Sequence, residues 1–234
     1  MKLELNNLTT GYGTKTITPQ INAQLISGEL VALLGCNGTG KSTLLRTLGG
    51  FQPSLCGEML LDGKPLADYS AKERARLISV VLTDRIETEH MTARELVLTG
   101  RMPYTGFWGA NTQADYDIAD EAMQQTGTTS LAARLVSSLS DGERQKVIIA
   151  KALAQQTPVI LLDEPSAFLD YPSKVDLMQL LNRLASEQHK IILISTHDVE
   201  IACRTAHRAW LLDRSHALQQ LSCREALQHF IKEQ

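Results

Sequence analysis

The sequence predicts an α/β fold in which a mostly parallel sheet is covered by helices. In the second half of the chain, short apolar runs alternate with segments of helical pattern, which is typical of parallel strands joined by crossover helices. The predicted strands are Val159–Leu162, Ile191–Ser195 and Ala209–Leu212. The predicted helices are Ser173–Ser186, Val199–Arg204 and Arg224–Lys232. The composition, with 43% hydrophobic and 21% charged residues among 234, is that of a globular chain with a sizeable core.

Charge and composition exclude several classes of function. The net charge is −3, from 23 Lys and Arg against 26 Asp and Glu, and only 5% of residues are aromatic, so a nucleic-acid-binding surface is not expected. No segment approaches the ~18 apolar residues of a spanning helix, and the first residues lack the apolar run of a signal peptide. The protein is therefore expected in the cytoplasm. Its cysteines, at positions 36, 56, 203 and 223, form no C-x-x-C pair and are predicted to be free thiols.

The N-terminal part is predicted to be rich in strands. Apolar residues nearly alternate at the start of residues 1–35, and Leu30–Leu34 is an apolar run of the buried-strand kind. Ser42–Leu48 has helical composition, and Glu58–Gly63 is a predicted strand that ends in an Asp-Gly turn. Because no repeat or low-complexity tract divides the chain, a single domain is predicted over residues 1–234.

The middle of the chain, about residues 85–139, is predicted to be a helical insert. It follows a predicted strand at Ile78–Leu82, and a loop rich in Gly, Pro and aromatic residues at Met102–Asn111 interrupts it. Its apolar residues recur at helical spacing, at Leu96, Val97, Ile118, Ala119, Ala122 and Met123.

A phosphate-binding loop is the strongest functional signal. Residues 35–42, Gly-Cys-Asn-Gly-Thr-Gly-Lys-Ser, match the pattern G-x-x-x-x-G-K-[ST] between a predicted strand and a predicted helix. The glycines allow backbone N–H groups to curl around phosphate oxygens, and the start of the following helix adds partial positive charge. Lys41 supplies an ammonium for the β- and γ-phosphates, and the Ser42 hydroxyl is suited to bind Mg²⁺. These residues predict nucleotide binding.

Two adjacent carboxylates form the second signal. Asp163 and Glu164 follow directly after the apolar run 159–162, and ligands bind at the carboxyl ends of strands in open α/β sheets. Asp163 suits the coordination of Mg²⁺, and Glu164 suits polarising an attacking water. Taken alone, Asp-Glu-Pro is equally the plain exit of a strand into a turn. Its presence in the same chain as the phosphate loop favours the catalytic interpretation.

These two motifs, together with Leu139–Glu143 and His197, resemble those of the ATP-binding cassette (ABC) family. The stretch Leu139–Leu153, LSDGERQKVIIAKAL, resembles the family's signature segment, usually written LSGGQ, and the helix after it. The elements come in the family's order over nearly the whole chain. The resemblance implies an ATPase that uses ATP and Mg²⁺. It also implies a P-loop NTPase core with an N-terminal antiparallel β subdomain and a helical subdomain inserted at about 85–139.

The resemblance assigns a role to each matching residue. Glu164 and His197 are implied to be catalytic, Ser42 and Asp163 to bind Mg²⁺, and Asp170 to couple the two sites of a dimer. The residues implied to bind ATP are Tyr12, Asn37, Gly38, Thr39, Gly40, Lys41, Ser42 and Thr43. The residues implied to contact the ATP held by the other subunit are Ser140, Asp141, Gly142 and Glu143. Taken alone, the tyrosine is equally a surface residue in a turn after the first strand, and the signature stretch is equally an N-cap turn.

Two positions depart from the family pattern. Glu143 stands where glutamine is usual, and an acid near a triphosphate repels it unless the side chain faces away or caps its own helix. Thr83 stands where the family has a glutamine that touches Mg²⁺ and reports to the transport partner. Because threonine is too short to span the same distance without a bridging water, this departure bears on the rate and coupling of hydrolysis rather than on ATP binding.

Within the family, residues 94–104 and Leu169–Lys174 resemble the importer ATPases for iron-siderophores, haem and cobalamin. This implies an ATPase peripheral on the cytoplasmic face of the membrane. It would work as a homodimer with integral-membrane permease subunits and a periplasmic or surface substrate-binding protein, and without nucleic acid. Two alternatives stay open. One is a soluble ABC ATPase of iron–sulfur cluster assembly; the other is a nucleotide-gated binding module with weak hydrolysis, which Thr83 alone supports.

Overall fold

The structure is a computed structural model that describes residues 1–82, 90–106 and 109–233. The strands are β1 (Lys2–Tyr12), β2 (Lys15–Ile26), β3 (Leu30–Gly35), β4 (Cys56–Leu61), β5 (Lys64–Pro65), β6 (Ile78–Val81), β7 (Val159–Asp163), β8 (Ile191–Ser195), β9 (Arg208–Leu212) and β10 (Leu218–Leu221). The α-helices are α1 (Lys41–Leu48), α2 (Ala71–Leu77), α3 (Ala93–Leu98), α4 (Gln113–Gln125), α5 (Asp141–Ala154), α6 (Tyr171–Gln188), α7 (Val199–Thr205) and α8 (Cys223–Glu233). Short 3₁₀ helices occupy Leu66–Asp68, Thr99–Tyr104, Thr129–Leu131 and Val136–Ser138.

A six-stranded sheet in the order β10-β9-β3-β8-β7-β6 forms the centre of the fold. All neighbouring strands from β9 to β6 pair in parallel, and only β10, which the sequence did not predict, pairs antiparallel with β9. Every residue of β3, β7 and β8 is buried, because both faces of the sheet are covered. The predicted α/β class with a mostly parallel sheet is confirmed. The carboxyl ends of β3, β7 and β8 meet at one edge.

The two faces of this sheet carry separate hydrophobic cores, because successive side chains of a strand point to opposite faces. From β3, Leu30, Ala32 and Leu34 pack in a core with buried residues of α3, α4, α5 and α6. Val31 and Leu33 pack in the other core with buried leucines of β1 and α1. Strand β3 is therefore fixed from both sides, and so is the loop that follows it.

A four-stranded antiparallel sheet, in the order β2-β1-β4-β5, forms the N-terminal part of the chain. Leu3, Leu5 and Leu8 of β1 are buried in the core shared with α1, as their near-alternation predicts. The predicted antiparallel sheet is confirmed. One detail differs: Tyr12 is the last residue of β1, paired with Lys15, instead of lying in the turn.

Helices α3, α4 and α5 pack on one another over the core that faces away from the antiparallel sheet. The apolar residues that predicted helices here include Leu96, Val97, Ala119 and Met123, and all four are buried. The helical character predicted for the middle of the chain is seen in the described residues, and part of its length lies outside them.

A buried ion pair joins these helices. The Nε of Arg101 lies 2.9 Å from Oδ1 of Asp115, and its Nη1 donates to the carbonyl of Ala154 at 2.7 Å. Hydrogen bonds from Thr112 and Arg101 hold the pKa of Asp115 at about 2, so the carboxylate stays charged. The pair ties the 3₁₀ helix at Thr99–Tyr104 to α4 and α5.

The predicted loop at Met102–Asn111 is wrong at its start, because the 3₁₀ helix runs on to Tyr104. Two contacts hold this turn in place. The Tyr104 hydroxyl donates to the carbonyl of Gln155 at 2.9 Å, and the guanidinium of Arg101 lies 4.1 Å from the centre of the tyrosine ring. Such tertiary contacts fix a segment whose Gly and Pro content favours a loop.

None of the helices formed by the described residues has the length and hydropathy needed to cross a membrane. The four cysteines are free: those at 36 and 56 are exposed, and those at 203 and 223 are half-buried.

Candidate nucleotide-binding and hydrolysis site

The glycine loop lies between the carboxyl end of β3 and the start of α1, as the sequence predicts. Two of its glycines are required by close approach and by backbone conformation. A Cβ at Gly35, where φ is 150°, would lie 2.5 Å from the carbonyl oxygen of Leu212. A Cβ at Gly40, where φ is 106°, would lie 2.7 Å from a methyl of Ile17. Only glycine fits both positions, so the loop can curl tightly against β9 and β2.

Lys41 is the first residue of α1 and lies inside the curl of the loop. Its side chain is buried, and Nζ donates to the carbonyls of Gly35 at 2.8 Å and Cys36 at 3.1 Å. Burial lowers the pKa of this ammonium, and the carboxylates of Glu164 and Asp163 partly offset that effect. A desolvated cation near backbone carbonyls gains much from an anion placed beside it, and phosphate is such an anion.

Asp163 and Glu164 lie at the carboxyl end of β7, against which α1 packs. Asp163 is 1% exposed, and its Oδ1 accepts a hydrogen bond from the Ser195 hydroxyl at 2.6 Å. The Ser195 hydroxyl oxygen in turn accepts from the backbone N–H of Glu164 at 2.9 Å. Glu164 has a left-handed backbone, with φ of 48°, so the chain turns sharply there. Ser195, the polar end of the otherwise apolar strand β8, therefore orients both acids.

Glu164 and His197 face each other across the ends of β7 and β8. Glu164 Oε1 lies 2.6 Å from His197 Nε2, so the Nε2–H of His197 donates a hydrogen bond to the carboxylate. The Glu164 side chain is 27% exposed, so water reaches the carboxylate. The sequence predicts that both residues act in catalysis, and the fold brings them into direct contact.

The loop that carries His197 is braced by its neighbour Asp198. Asp198 Oδ2 accepts from the Ser166 hydroxyl at 3.2 Å, and Oδ1 lies 3.0 Å from Nζ of Lys174 on α6. The backbone N–H of Asp198 donates to Oγ1 of Thr196 at 3.0 Å. These bonds join the segments after β7 and after β8, so that Glu164 and His197 keep their relative positions.

The oxygen donors near the loop suit Mg²⁺ bound together with phosphate. Ser42 presents an exposed hydroxyl in the first turn of α1, and Asp163 supplies a carboxylate at the end of the strand that α1 packs on. Mg²⁺ prefers such hard oxygen donors and usually keeps waters and phosphate oxygens among its ligands. The described residues contain no cluster of three or more His, Cys, Asp or Glu side chains that could hold a metal ion.

Tyr12 lies beside the first turn of α1, next to the phosphate loop. Its hydroxyl oxygen accepts a hydrogen bond from Thr43 at 3.4 Å, and the residue is 53% exposed. An exposed ring anchored at its polar end offers a flat apolar face to a stacking partner. Of the loop residues between β3 and α1, Asn37 and Gly38 are exposed, and the side chain of Thr39 is buried.

The signature stretch forms the start of α5. Ser140 is its N-cap: Oγ accepts from the backbone N–H of Glu143 at 3.3 Å, and Glu143 Oε2 accepts from the N–H of Ser140 at 2.9 Å. The hydrogen bonds from Ser140 and the nearby Arg134 lower the pKa of Glu143. The departure at Glu143 thus has a structural reason, because the acid completes a capping box and pairs with Arg134 at 3.0 Å.

Gly142 and Asp170 come from two segments that pack together. A Cβ at Gly142 would lie 3.4 Å from the carbonyl oxygen of Phe168, so α5 begins against the loop between β7 and α6. Asp170 caps α6 by accepting from the N–H of Ser173 at 3.1 Å, and hydrogen bonds from the side chain and backbone of Ser173 lower its pKa. Ser140, Asp141 and Asp170 are all exposed, on a surface open to another molecule. The predicted departure at Thr83 lies outside the described residues.

The fold and the site together define a class. A glycine loop with a buried lysine before a helix, beside two carboxylates at the end of a parallel strand, is the arrangement of a P-loop nucleotide hydrolase. The family follows from comparison. Residues 19–167, more than half of the chain, match the family model for the ABC transporter, so the chain belongs to the ABC transporter family.

The chain is also similar to two proteins whose names state a transport function. The chain is 38% identical over 205 residues to the ferric enterobactin transport ATP-binding protein FepC of Escherichia coli, covering 88% of this chain and 76% of FepC. It is 37% identical over 205 residues to the iron(3+)-hydroxamate import ATP-binding protein FhuC of Bacillus subtilis, with the same coverage of 88% and 76%. An ATP-binding cassette solved as a post-hydrolysis dimer with ADP and Pi superposes with a TM-score of 0.82 at 28% identity, covering 94% of this chain and 98% of that one. The chain is thus an ATPase of this family.

The first prediction concerns Lys41. The substitution Lys41→Ala removes a charge-assisted contact to phosphate and is expected to weaken ATP binding about 10- to 100-fold, measured by isothermal titration calorimetry. Lys190→Ala is the matched control, because Lys190 also has a pKa lowered by burial and donates Nζ to a backbone carbonyl, that of Thr157, at 2.8 Å. Unchanged affinity in the Lys41 variant, or an equal loss in both variants, would contradict the phosphate-loop assignment.

Proposed function

We propose that this chain is the ATP-hydrolysing subunit of an importer, in which two copies drive uptake of a metal chelate (an iron-siderophore, haem or cobalamin) through a partner permease. The main support for ATP hydrolysis is the contact of 2.6 Å between Glu164 and His197, which lies beside the buried Lys41. The names of FepC and FhuC and the segments 94–104 and Leu169–Lys174 support the substrate class.

ATP binding begins at the glycine loop. Backbone N–H groups of residues 37–43 and the N-terminus of α1 would bind the phosphates, and Lys41 would move its Nζ from loop carbonyls to phosphate oxygens. The adenine would stack on the exposed ring of Tyr12. Ser42 and Asp163 would hold Mg²⁺, which when bound neutralises phosphate charge in the transition state.

Hydrolysis requires a base beside the γ-phosphate. Glu164 would accept a proton from the attacking water as its oxygen bonds to phosphorus, while the bond to the bridging oxygen breaks and ADP leaves. His197 donates to Glu164 in this structure. With a triphosphate present, the same N–H would be free to contact the γ-phosphate, and Ser195 would keep Asp163 and Glu164 oriented.

A second copy completes each site in this proposal. The exposed start of α5 at Ser140 offers backbone N–H groups and a helix dipole to an anion, as a γ-phosphate contact needs. The charge of Glu143 does not oppose this contact, because it is paired with Arg134 and its own N-cap. Asp170, at the adjacent start of α6, would meet the partner copy and link the two sites.

The transport part of the proposal places the dimer on the cytoplasmic face of the membrane, against integral permease subunits. A periplasmic or surface substrate-binding protein would deliver the chelate. The net charge of −3 and the low aromatic content support a role without nucleic acid. Thr83, at the position of the family glutamine, is proposed to affect coupling to the permease.

The second prediction tests the base. Glu164→Gln keeps the size of the side chain and one oxygen that can accept from His197, but it cannot accept the proton. The ATPase rate is therefore expected to fall ~10²- to 10⁴-fold with ATP binding retained. ATP that binds without being split should hold two copies together, and light scattering after size exclusion is expected to show an ATP-dependent dimer. Glu200→Gln, which removes an exposed carboxylate paired with Arg204 on α7, is the control.

Near-normal turnover of the Glu164 variant would overturn the assignment of the base. A strictly monomeric variant at saturating ATP would overturn the shared-site arrangement. A low wild-type rate that a co-purified permease does not raise would instead support the binding module with weak hydrolysis.

The third prediction tests the transported substrate. Host cells carrying Glu164→Gln in place of the wild-type chain are expected to lose uptake of one labelled chelate among an iron-siderophore, haem and cobalamin, and Glu200→Gln cells are expected to retain it. The wild-type chain purified from detergent extracts should carry an integral membrane protein with it. Retention of all three uptakes, together with a soluble iron–sulfur scaffold as the co-purified partner, would favour the iron–sulfur alternative.

A further inference from the structure

The hairpin between β9 and β10 touches the phosphate loop through one side chain. His216 Nδ1 lies 2.9 Å from the backbone carbonyl oxygen of Thr39, which is 177 residues earlier in the chain. Resting on the nucleotide binding proposed above, we infer that His216 is a positioning residue, which holds the Thr39–Gly40 peptide in the orientation that phosphate binding needs.

The direction of this hydrogen bond is fixed by chemistry. A carbonyl oxygen only accepts, so Nδ1 of His216 carries the proton and donates it to Thr39. The ring is half-buried, which limits competition from water. The contact is therefore a directed bond from the hairpin to the loop.

The hairpin presents His216 on a rigid turn. The carboxylate of Asp213 accepts from the backbone N–H groups of Ser215 at 2.8 Å and Ala217 at 3.1 Å. It also accepts from the Ser215 hydroxyl at 2.6 Å and from the Gln219 amide at 3.2 Å. The backbone N–H of His216 itself donates to the Asp213 carbonyl at 3.0 Å. A turn closed by this many bonds keeps the imidazole in one place.

The Thr39–Gly40 peptide needs a restraint from elsewhere in the fold, because its second residue is a glycine. Glycine allows a peptide bond before it to adopt orientations that other residues forbid, and Gly40 has a φ of 106°. In a planar trans peptide the C=O and N–H point in opposite directions. A hydrogen bond that keeps the Thr39 carbonyl pointing toward His216 therefore keeps the Gly40 N–H pointing away from His216.

In the nucleotide site proposed above, that N–H is one of the backbone donors of residues 37–43 that would bind phosphate. Gly40 is the N-cap of α1, and it has no side chain with which to order the turn. A second bond, from Thr39 Oγ1 to the carbonyl of Cys36 at 2.9 Å, holds the side chain of Thr39 but does not involve the atoms of the Thr39–Gly40 peptide. His216 supplies the missing restraint, so fewer conformations are lost when phosphate binds.

The backbone at His216 suggests a conservative replacement. Its φ is 66°, a left-handed conformation that asparagine adopts more readily than most residues. The amide nitrogen of asparagine is separated from Cα by the same number of bonds as Nδ1 of histidine. His216→Asn therefore keeps a donor aimed at Thr39, and His216→Ala removes it.

His189 provides a matched control. It is exposed, it follows α6, and its φ of 51° is also left-handed. Replacing it by Ala or Asn makes the same chemical changes at a similar backbone position, away from the phosphate loop.

The fourth prediction follows from these variants. His216→Ala is expected to weaken binding of both ATP and ADP about three- to tenfold by calorimetry, the range for one net hydrogen bond. The KM for ATP should rise by the same factor with kcat kept within about twofold, because the loop contacts phosphates present in both ground and transition states. His216→Asn should restore affinity to within about twofold of wild type, and both His189 variants should match wild type.

Each other outcome overturns the inference. Affinity of His216→Ala within about twofold of wild type, or an Asn variant as weak as the Ala variant, would exclude a positioning hydrogen bond. An equal drop in the unfolding midpoint of nucleotide-free His216→Ala and His216→Asn would mark the residue as structural only. A wild-type chain that binds no ATP would overturn the proposed function and this inference together; wild-type binding with unchanged variants would overturn this inference alone.

Discussion

The burial of one ammonium group at the end of β3 is the constraint on which the rest of the site depends. Lys41 is 5% exposed and donates to two backbone carbonyls of its own loop. A cation removed from water is costly unless anions compensate it, and the carboxylates of Glu164 and Asp163 do so only in part. The loop is thus built to receive further negative charge. The glycines and the helix start serve this one requirement, while the neighbouring acids offset part of the cost of burying the lysine.

The parallel sheet explains why residues far apart in sequence meet around that lysine. Strands β3, β8 and β7 are neighbours and parallel, so the residues at and just after their carboxyl ends lie at the same edge of the sheet. Direct bonds then fix the geometry. Ser195 bridges Asp163 and the backbone of Glu164, and Asp198 joins the segments after β7 and β8. The chemistry of the site comes from residues at or shortly after the carboxyl ends of strands, and polar groups at the same ends hold them in position.

Much of this arrangement is predictable from local sequence, and the remainder depends on distant contacts. The glycine loop, the Asp163–Glu164 pair and most strands and helices follow patterns confined to a few neighbouring residues. The capping box of Glu143 is also local, because Ser and Glu three residues apart favour it. Ser195 and His216 act through partners that lie far from them in sequence, so no local pattern marks them. Strand β10 lacks an alternating apolar pattern and forms by pairing with β9.

The state of Lys41 itself is the most direct test of this account. A ¹³Cε resonance of Lys41, assigned by its loss in Lys41→Ala, can be titrated with pH in the presence and absence of ATP. Without nucleotide, burial should place the pKa below that of an ordinary lysine, and bound triphosphate should raise it because the anion stabilises the charged form. An ordinary lysine pKa without nucleotide, or one that ATP leaves unchanged, would contradict the claim that this buried cation is the centre of the site.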